Sequence, residues 1–464
     1  MSLGARMTTQ VCVALAIGAA CSTVPSPAAP GRAPLPRKCT VQGIEARCGS
    51  LAVPENRDRP GGRQIRLRVV VLPSRAEKPL RDAFTYLAGG PGGAATDHVS
   101  AAASIWGDVL ARRDIVLVDQ RGTGGSNPLE CPLPTTPLET DEARRAYVRD
   151  CLAGLEADPT RYGTSQAADD LEAVRKALGY RSLNVYGTSY GATVAQVFVN
   201  RHPRSVRTVV LDGGTLLDIP FYERYAANGA AALEQVRRRC AADRACRSAF
   251  PDWSATLLEL IERWNETPVQ LSRSVRLSGD GLASVVQSMT LSAHSAASIP
   301  LAVSRAAAGD LRTLTRFVGA GGSSRSVMYW TIMCSEPWVG LDARGPGGTY
   351  LDGATTAALE SFATVCPLLP RATQRASDWR RPTTKAPVLA LVGGADPQDP
   401  VSNLAGIAAV MPRSRVVVVP GYGHAIGQYG CLGRLAVRFV ERGTAAGLDA
   451  SCARKIPIPR FSLG

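Results

Sequence analysis

The stretch LNVYGTSYGATVAQVF, residues 183–198, decides the reading of this chain. Leu183–Tyr186 is a strand-like run, Gly187-Thr188-Ser189-Tyr190-Gly191 interrupts it, and a helix-like run follows at once. Ser189 is therefore either a nucleophile or a polar residue that caps the helix. A serine on a sharp, strained strand-to-helix turn needs neighbours without side chains two positions to either side, so that strand and helix can approach. Glycines 187 and 191 meet that need. The five-residue pattern recurs by chance; the strand before it and the helix after it give it weight.

Other short apolar runs bounded by turn residues predict further strands. They are QIRLRVVVLP from Gln64, AFTYLA from Ala83, DIVLVD from Asp114, SLNVYG from Ser182, RTVVLD from Arg207, PVLALVG from Pro387 and RVVVVP from Arg415. Runs of this kind, separated by helix-like segments, indicate a mostly parallel sheet. In TSQAADDLEAVRKALGY, Ala167, Leu171, Val174 and Leu178 recur at helical spacing, with Thr164 or Ser165 placed to cap the start and Gly179 the end. The expected fold is an α/β sheet flanked by helices. The strand rhythm stops after Asp212 and resumes at Pro387. Residues 216–380 are rich in Ala, Arg and Leu with helical periodicity, which predicts a helical lid inserted over the sheet's C-terminal edge, where open α/β sheets bind ligands.

At 464 residues and 45% apolar composition the chain can bury a large core. Its N-terminus carries Arg6, an apolar run from Val11 to Ala20 and then GAAC ending at Cys21, the layout of a secretory signal and too short for a membrane span. Two processing routes stay open, cleavage after Ala20 or lipidation of Cys21 as a membrane tether; Gly18 stands where lipoprotein sites usually carry Leu. The Pro- and Ala-rich run that follows reads as an extended tether. The expected organisation is a signal peptide over 1–20, a tether over 21–37, the first part of the core over 38–215, the lid over 216–380 and the C-terminal part of the core over 381–464.

The chain has 12 cysteines, and removing or lipidating Cys12 and Cys21 leaves an even set suited to an oxidising compartment. They fall in close sequential pairs: Cys39 with Cys48, Cys131 with Cys151, Cys240 with Cys246, Cys334 with Cys366, and Cys431 with Cys452. Metal binding is the rival use, but there is no CxxC and only 4 His, so no metal site is expected. The net charge of +14 comes from scattered Arg without the dense block that nucleic-acid binding uses, so it reads as a solvated surface.

A serine nucleophile needs a base. His98 follows a glycine loop, His202 ends the helix after Ser189, and His294 lies in the insertion. His424, in PGYGHAIG directly after the last strand, is where the chain order Ser, acid, His puts the base. GGADPQDP after the preceding strand offers Asp396 and Asp399; Asp396 has the shorter reach from the strand end, and Asp399 is placed to cap a helix beginning near Val401. A developing oxyanion needs two amide donors. Tyr190, next to the nucleophile, supplies one; the loop GGPGG, Gly89 to Gly93, supplies the other, with Gly90 the choice. That loop lacks the Lys and Ser/Thr of a phosphate-binding P-loop.

LAGGPGG, VLVDQRGTGGSNP, NVYGTSYGATVA, VVLDGG, LVGGADPQDP and GYGHA, in this order, resemble the exported α/β-hydrolase peptidases of the tripeptidyl aminopeptidase and proline iminopeptidase-like family. The resemblance covers residues 38–464 and is weakest in the insertion. It implies Ser189, Asp396 and His424 as the triad, Gly90 and Tyr190 as oxyanion donors, no cofactor, and short peptides with a free N-terminus as substrates. Ala88 stands where proline iminopeptidases carry His, which favours the tripeptidyl branch. Arg121 of the DQRG run is expected to brace loops around the site. In MCSEPW, Glu336 is expected to anchor the substrate amine, with an ion pair to one of the many Arg as its bland alternative. A carboxylesterase of the same fold is the second function, and a binding lipoprotein without catalysis a third.

Overall fold

Apolar runs without alternation form strands that are buried on both faces. A computed structural model describes residues 36–464, apart from residues 133, 135–137, 139, 273–274, 319–325 and 373. The expected signal peptide, most of the expected tether, Cys12 and Cys21 lie outside the described residues. The strands are β1 (Arg37–Val41), β2 (Ile44–Pro54), β3 (Gln64–Leu72), β4 (Asp82–Leu87), β5 (Ile115–Val118), β6 (Ser182–Thr188), β7 (Val206–Asp212), β8 (Val269–Ser272), β9 (Val275–Leu277), β10 (Val388–Gly393) and β11 (Ser414–Val419). Nine of them make one sheet in the order β1-β2-β3-β5-β4-β6-β7-β10-β11. From β5 to β11 every pairing is parallel. Successive residues of each central strand enter different cores. Val388, Ala390 and Val392 of β10 pack on one face, beside Leu171 of the helix Thr164–Ala177 and Val197 of the helix Tyr190–Arg201. Leu389 and Leu391 pack on the other, beside Ala102 of the helix Val99–Trp106 and Phe439 of the helix Leu432–Arg442.

The structure amends three details of the sequence reading. β3 is antiparallel to both of its neighbours, and it follows β2 through a tight connection rather than a crossover helix. β1 and β2, whose residues are mostly half-exposed, extend this antiparallel edge and are clasped by the Cys39–Cys48 disulfide. The helix at Thr164 has Gly163 at its N-cap and no capping bond from its own residues there; its first amide is taken instead by Glu336 from the insertion.

Between β7 and β10 the chain is mainly helical with its own core. Trp253, Leu257, Leu260 and Trp264 recur on one face of the helix Trp253–Glu266 and bury against Leu282, Val286 and Val303. The strand rhythm does not stop completely there, since β8 and β9 form a small hairpin. Disulfides Cys240–Cys246 and Cys334–Cys366 lie within this insertion, while Cys131–Cys151 and Cys431–Cys452 close loops of the core.

Below the insertion, Arg121 is fully buried and braces three segments. Its guanidinium holds Asp170 through both nitrogens at 2.6 Å and donates to the carbonyls of Glu55 and Arg161. Removing one partner of a buried pair leaves an uncompensated charge. Arg57 also reaches Asp170 at 2.5 Å and softens the loss. Arg121→Met should therefore destabilise the fold by about 3 kcal/mol, read as a lower denaturant midpoint with unchanged slope; an unchanged midpoint would remove Arg121 from the fold's supports.

Candidate active site

Ser189 sits where β6 passes into its helix, at φ 56° and ψ −127°, a conformation that a non-glycine residue adopts only when its surroundings enforce it. The enforcement is visible. A β-carbon on Gly187 would collide with the carbonyl of Gly191, and one on Gly191 with the carbonyl of Leu87 in β4. The amide of Ser189 donates to the carbonyl of Asp212 at 2.9 Å. Its hydroxyl makes no capping bond to the helix, so the polar-cap alternative has no support in the geometry.

The loops after β10 and β11 bring Asp396 and His424 together. Asp396 Oδ2 lies 2.9 Å from His424 Nδ1, and Oδ1 accepts from the amides of Gln398 and Asp399. That carboxylate fixes the ring's tautomer, with the proton on Nδ1. Nε2 is buried and has no hydrogen-bond partner among the described residues, which leaves it free to accept a proton. The backbone of His424 is held from above, its amide donating to Leu291 of the insertion at 2.8 Å. Burial pulls the pKa of His424 down, but the charges of Asp396, Asp399 and Asp212 outweigh it and raise it to about 9. Asp399 approaches Nδ1 at 3.5 Å and accepts from the Thr215 hydroxyl; the cap position before Val401 belongs to Pro400, so Asp399 does not cap that helix.

Asp212, at the end of β7, is the residue that the sequence reading overlooked. Its carboxylate accepts from Tyr186 Oη at 2.9 Å and from the amides of Ile426 and Gly427 at 2.8 and 3.0 Å. Burial raises its pKa to about 6 against the effect of these three donors. The only sequence signal was a charged residue ending an apolar strand in VVLDGG.

Gly90, Ser189 and Tyr190 share the wall of a cavity of about 220 Å³. Phe221, Tyr222, Tyr329 and Trp338 of the insertion line its far side. Gly90 has φ +123°, and a β-carbon there would press on the amide nitrogen of Gly92. Glu336 is not on this wall. It is 4% exposed, and its oxygens accept from the Thr164 amide at 2.7 Å, the Thr164 hydroxyl at 2.8 Å and Trp338 Nε1 at 2.8 Å. The expected amine anchor is thus occupied as a helix cap, and among the described residues no Arg pairs with it; burial raises its pKa to about 7. The other histidines lie elsewhere: His98 against Tyr86, His202 on Asp169, and His294 facing Tyr429.

Comparison with known proteins bears on the fold and the family. Residues 86–427 match the family described as alpha/beta hydrolase fold. Over 185 residues the chain is 30% identical to the tripeptidyl aminopeptidase of Streptomyces coelicolor, covering 36% of this chain and 34% of that protein. Over 193 residues it is 30% identical to the serine protease Hip1 of Mycobacterium tuberculosis, covering 36% of each. Over 188 residues it is 32% identical to carboxylesterase B of Mycobacterium tuberculosis, again covering 36% of each. The matched part spans about a third of the length of these curated relatives.

Asp212→Ala strips the acceptor from three buried donors, each worth about 1–3 kcal/mol when left unsatisfied. The variant should lose at least about 3 kcal/mol in chemical denaturation and should label with a fluorophosphonate far more slowly than the wild type. Normal labelling in a fully folded Asp212→Ala protein would show that the two loops do not depend on it.

Proposed function

The chain belongs to the alpha/beta hydrolase fold family, and from that premise we propose that this hydrolase is an exported serine exopeptidase that cleaves short peptides from their free N-terminus. Ser189 Oγ attacks the scissile carbonyl while Nε2 of His424 takes its proton. Asp396 keeps the other ring nitrogen protonated and stabilises the imidazolium that forms. The amides of Tyr190 and Gly90 receive the oxyanion. Collapse of the tetrahedral adduct breaks the C–N bond, and His424 returns the proton to the leaving amine. Water, deprotonated by the same ring, then releases the acyl group from Ser189 and restores the hydroxyl.

The observation that carries the peptidase part is the cavity beside Ser189. It is roofed by aromatic residues of the insertion, and its volume of about 220 Å³ lies below the roughly 300 Å³ at which pockets for drug-sized ligands begin. Such a site accommodates a chain end rather than the middle of a folded polypeptide. The names of two relatives, a tripeptidyl aminopeptidase and a serine protease, support the same chemistry. Export is supported by the five disulfides together with the signal-like N-terminus. A second reading, a carboxylesterase, is favoured by the aromatic walls and by the relative of that name, since the same relay hydrolyses esters.

A matched panel separates the two: aminoacyl and tripeptidyl amides, their N-acetylated counterparts and a simple acyl ester. The free-amine peptides should turn over, the acetylated ones should not, and Ser189→Ala should fall by at least roughly 10⁴-fold. Turnover of the ester alone would replace the peptidase with the esterase. A pH profile tests the base independently. Because the pKa of His424 is raised, the ring is mostly protonated at neutral pH, and activity increases as pH rises. With the ester, kcat/KM should climb through an acid limb well above pH 7, toward about 9; a limb near 6.5 would show that the flanking carboxylates do not hold the proton.

A further inference from the structure

Three carboxylates act on the single imidazole of His424, and they are not equally satisfied. Asp396 is held by two amides and the ring, and Asp212 by two amides and a phenol. Among the described residues, Asp399 has only the Thr215 hydroxyl and the longer approach to Nδ1, whose proton already points to Asp396. Asp399 also lines the cavity beside Ser189. Among the described residues of that wall it is the only one that is charged, and neither Lys nor Arg is present.

A second group points to the same ligand. Asn403 is 2% exposed and lines the same cavity. Its Nδ2 donates to Thr215 Oγ1 at 2.9 Å and to the carbonyl of Gln398 at 3.3 Å, which leaves Oδ1 buried without a partner. The amide cannot be exchanged end for end, because the Gln398 carbonyl only accepts and must face the NH₂ group. Two residues of the cavity wall therefore carry acceptors, a carboxylate on Asp399 and an unpartnered amide oxygen on Asn403. Their complement is a cation that donates hydrogen bonds.

We propose that Asp399 and the side-chain oxygen of Asn403 form the subsite that binds the free ammonium of the substrate's N-terminal residue. This rests on the aminopeptidase reading and gives it a substrate length. Asp399 lies 3.5 Å from Nδ1 of His424, and we assign the amine it holds to the residue whose carbonyl Ser189 attacks, so that one residue leaves per cut. The bound ammonium also places a second positive charge next to His424. That repels the ring's proton and favours the neutral imidazole needed for attack. The groups facing Asp399 are His424, Asp396 and Thr215; burial raises its pKa to about 6, with His424 opposing and Asp396 adding, so it is ionised at neutral pH. An α-amine remains protonated to about pH 8.

The test measures kcat/KM at pH 7 for an aminoacyl amide, its N-acetyl counterpart and a tripeptidyl amide, in wild type, Asp399→Asn and Asn403→Leu. Circular dichroism reports which variants are folded, and fluorophosphonate labelling which of them keep a reactive Ser189. Wild type should prefer the free aminoacyl amide over both of the others. Asp399→Asn should cut the free-to-acetylated ratio by about 30-fold or more, the scale of a charge-assisted hydrogen bond, mainly through KM. Asn403→Leu should cut it by about 5-fold, the scale of a neutral one. If Asp399→Asn does not label, the Asn403→Leu ratio decides. A preserved ratio in variants of an enzyme that prefers free amines overturns the subsite alone. Equal losses on free and acetylated substrates overturn it as well, leaving Asp399 to act only through His424. A wild type faster on the tripeptidyl amide puts the amine beyond Asp399 and also overturns it. A wild type indifferent to the amine overturns the aminopeptidase reading and the subsite together.

Discussion

One carboxylate links the two halves of the site. Asp212 ends β7, between β6 and β10 in the sheet. Its main-chain carbonyl takes the amide of Ser189, and its side chain takes the amides of Ile426 and Gly427, two and three residues beyond His424. The loops that carry Ser189 and His424 are therefore fixed against the same residue. Tyr186, from the strand that leads into the elbow, supplies the third donor. A charged group that is 3% exposed is tolerable because each approach to it is a hydrogen-bond donor. The parallel pairing of β6, β7 and β10 brings their C-terminal ends to one edge, which is what lets a single side chain reach both loops.

The same crowding of acids sets the electrostatics. One carboxylate would be enough to orient an imidazole, and Asp396 has the shorter contact and the amide support to do so. Asp399 and Asp212 add negative charge without adding orientation. They make His424 a stronger base and, in the empty cavity, a more firmly protonated one. These two effects oppose each other at neutral pH, and the ammonium of the proposed free-amine substrate would reconcile them. A neutral ester brings no such charge, so the two candidate substrate classes meet different electrostatics at the same atoms.

What the sequence made legible follows from where the signal was local. Strands β4, β6, β7 and β10 were readable because burial on both faces demands uninterrupted apolar runs. β1, β2, β8 and β9 were not, since half-exposed edges and a three-residue strand carry no such run. The elbow was readable because its backbone crowding requires two glycines at fixed spacing, and the acid and base because each closes a loop directly after a strand. The pairing of Glu336 with Thr164 was not, because the two lie 172 residues apart in sequence. Asn403 and Thr215 have the same character, being ordinary polar residues until the fold places them on one wall.

Glu336 in turn explains how the insertion is held over the sheet. It accepts the first free amide of the helix Thr164–Ala177, a position where a negative charge is favoured by the helix dipole. The hydroxyl of Thr164 gives its one proton to Glu336, so the Tyr190 hydroxyl must donate to Thr164, and Gln120 in turn donates to Tyr190. The chain of donors runs from the DQRG loop, through the residue next to the nucleophile, to the insertion. Tyr190 is thus held at its side chain by a network that is complete only while the insertion is seated, and its main-chain amide is one of the two proposed oxyanion donors. Seating of the roof and alignment of that donor are parts of the same hydrogen-bonded assembly, so a roof displaced from Thr164 would leave the Thr164 amide without its cap and Tyr190 without the end of its chain.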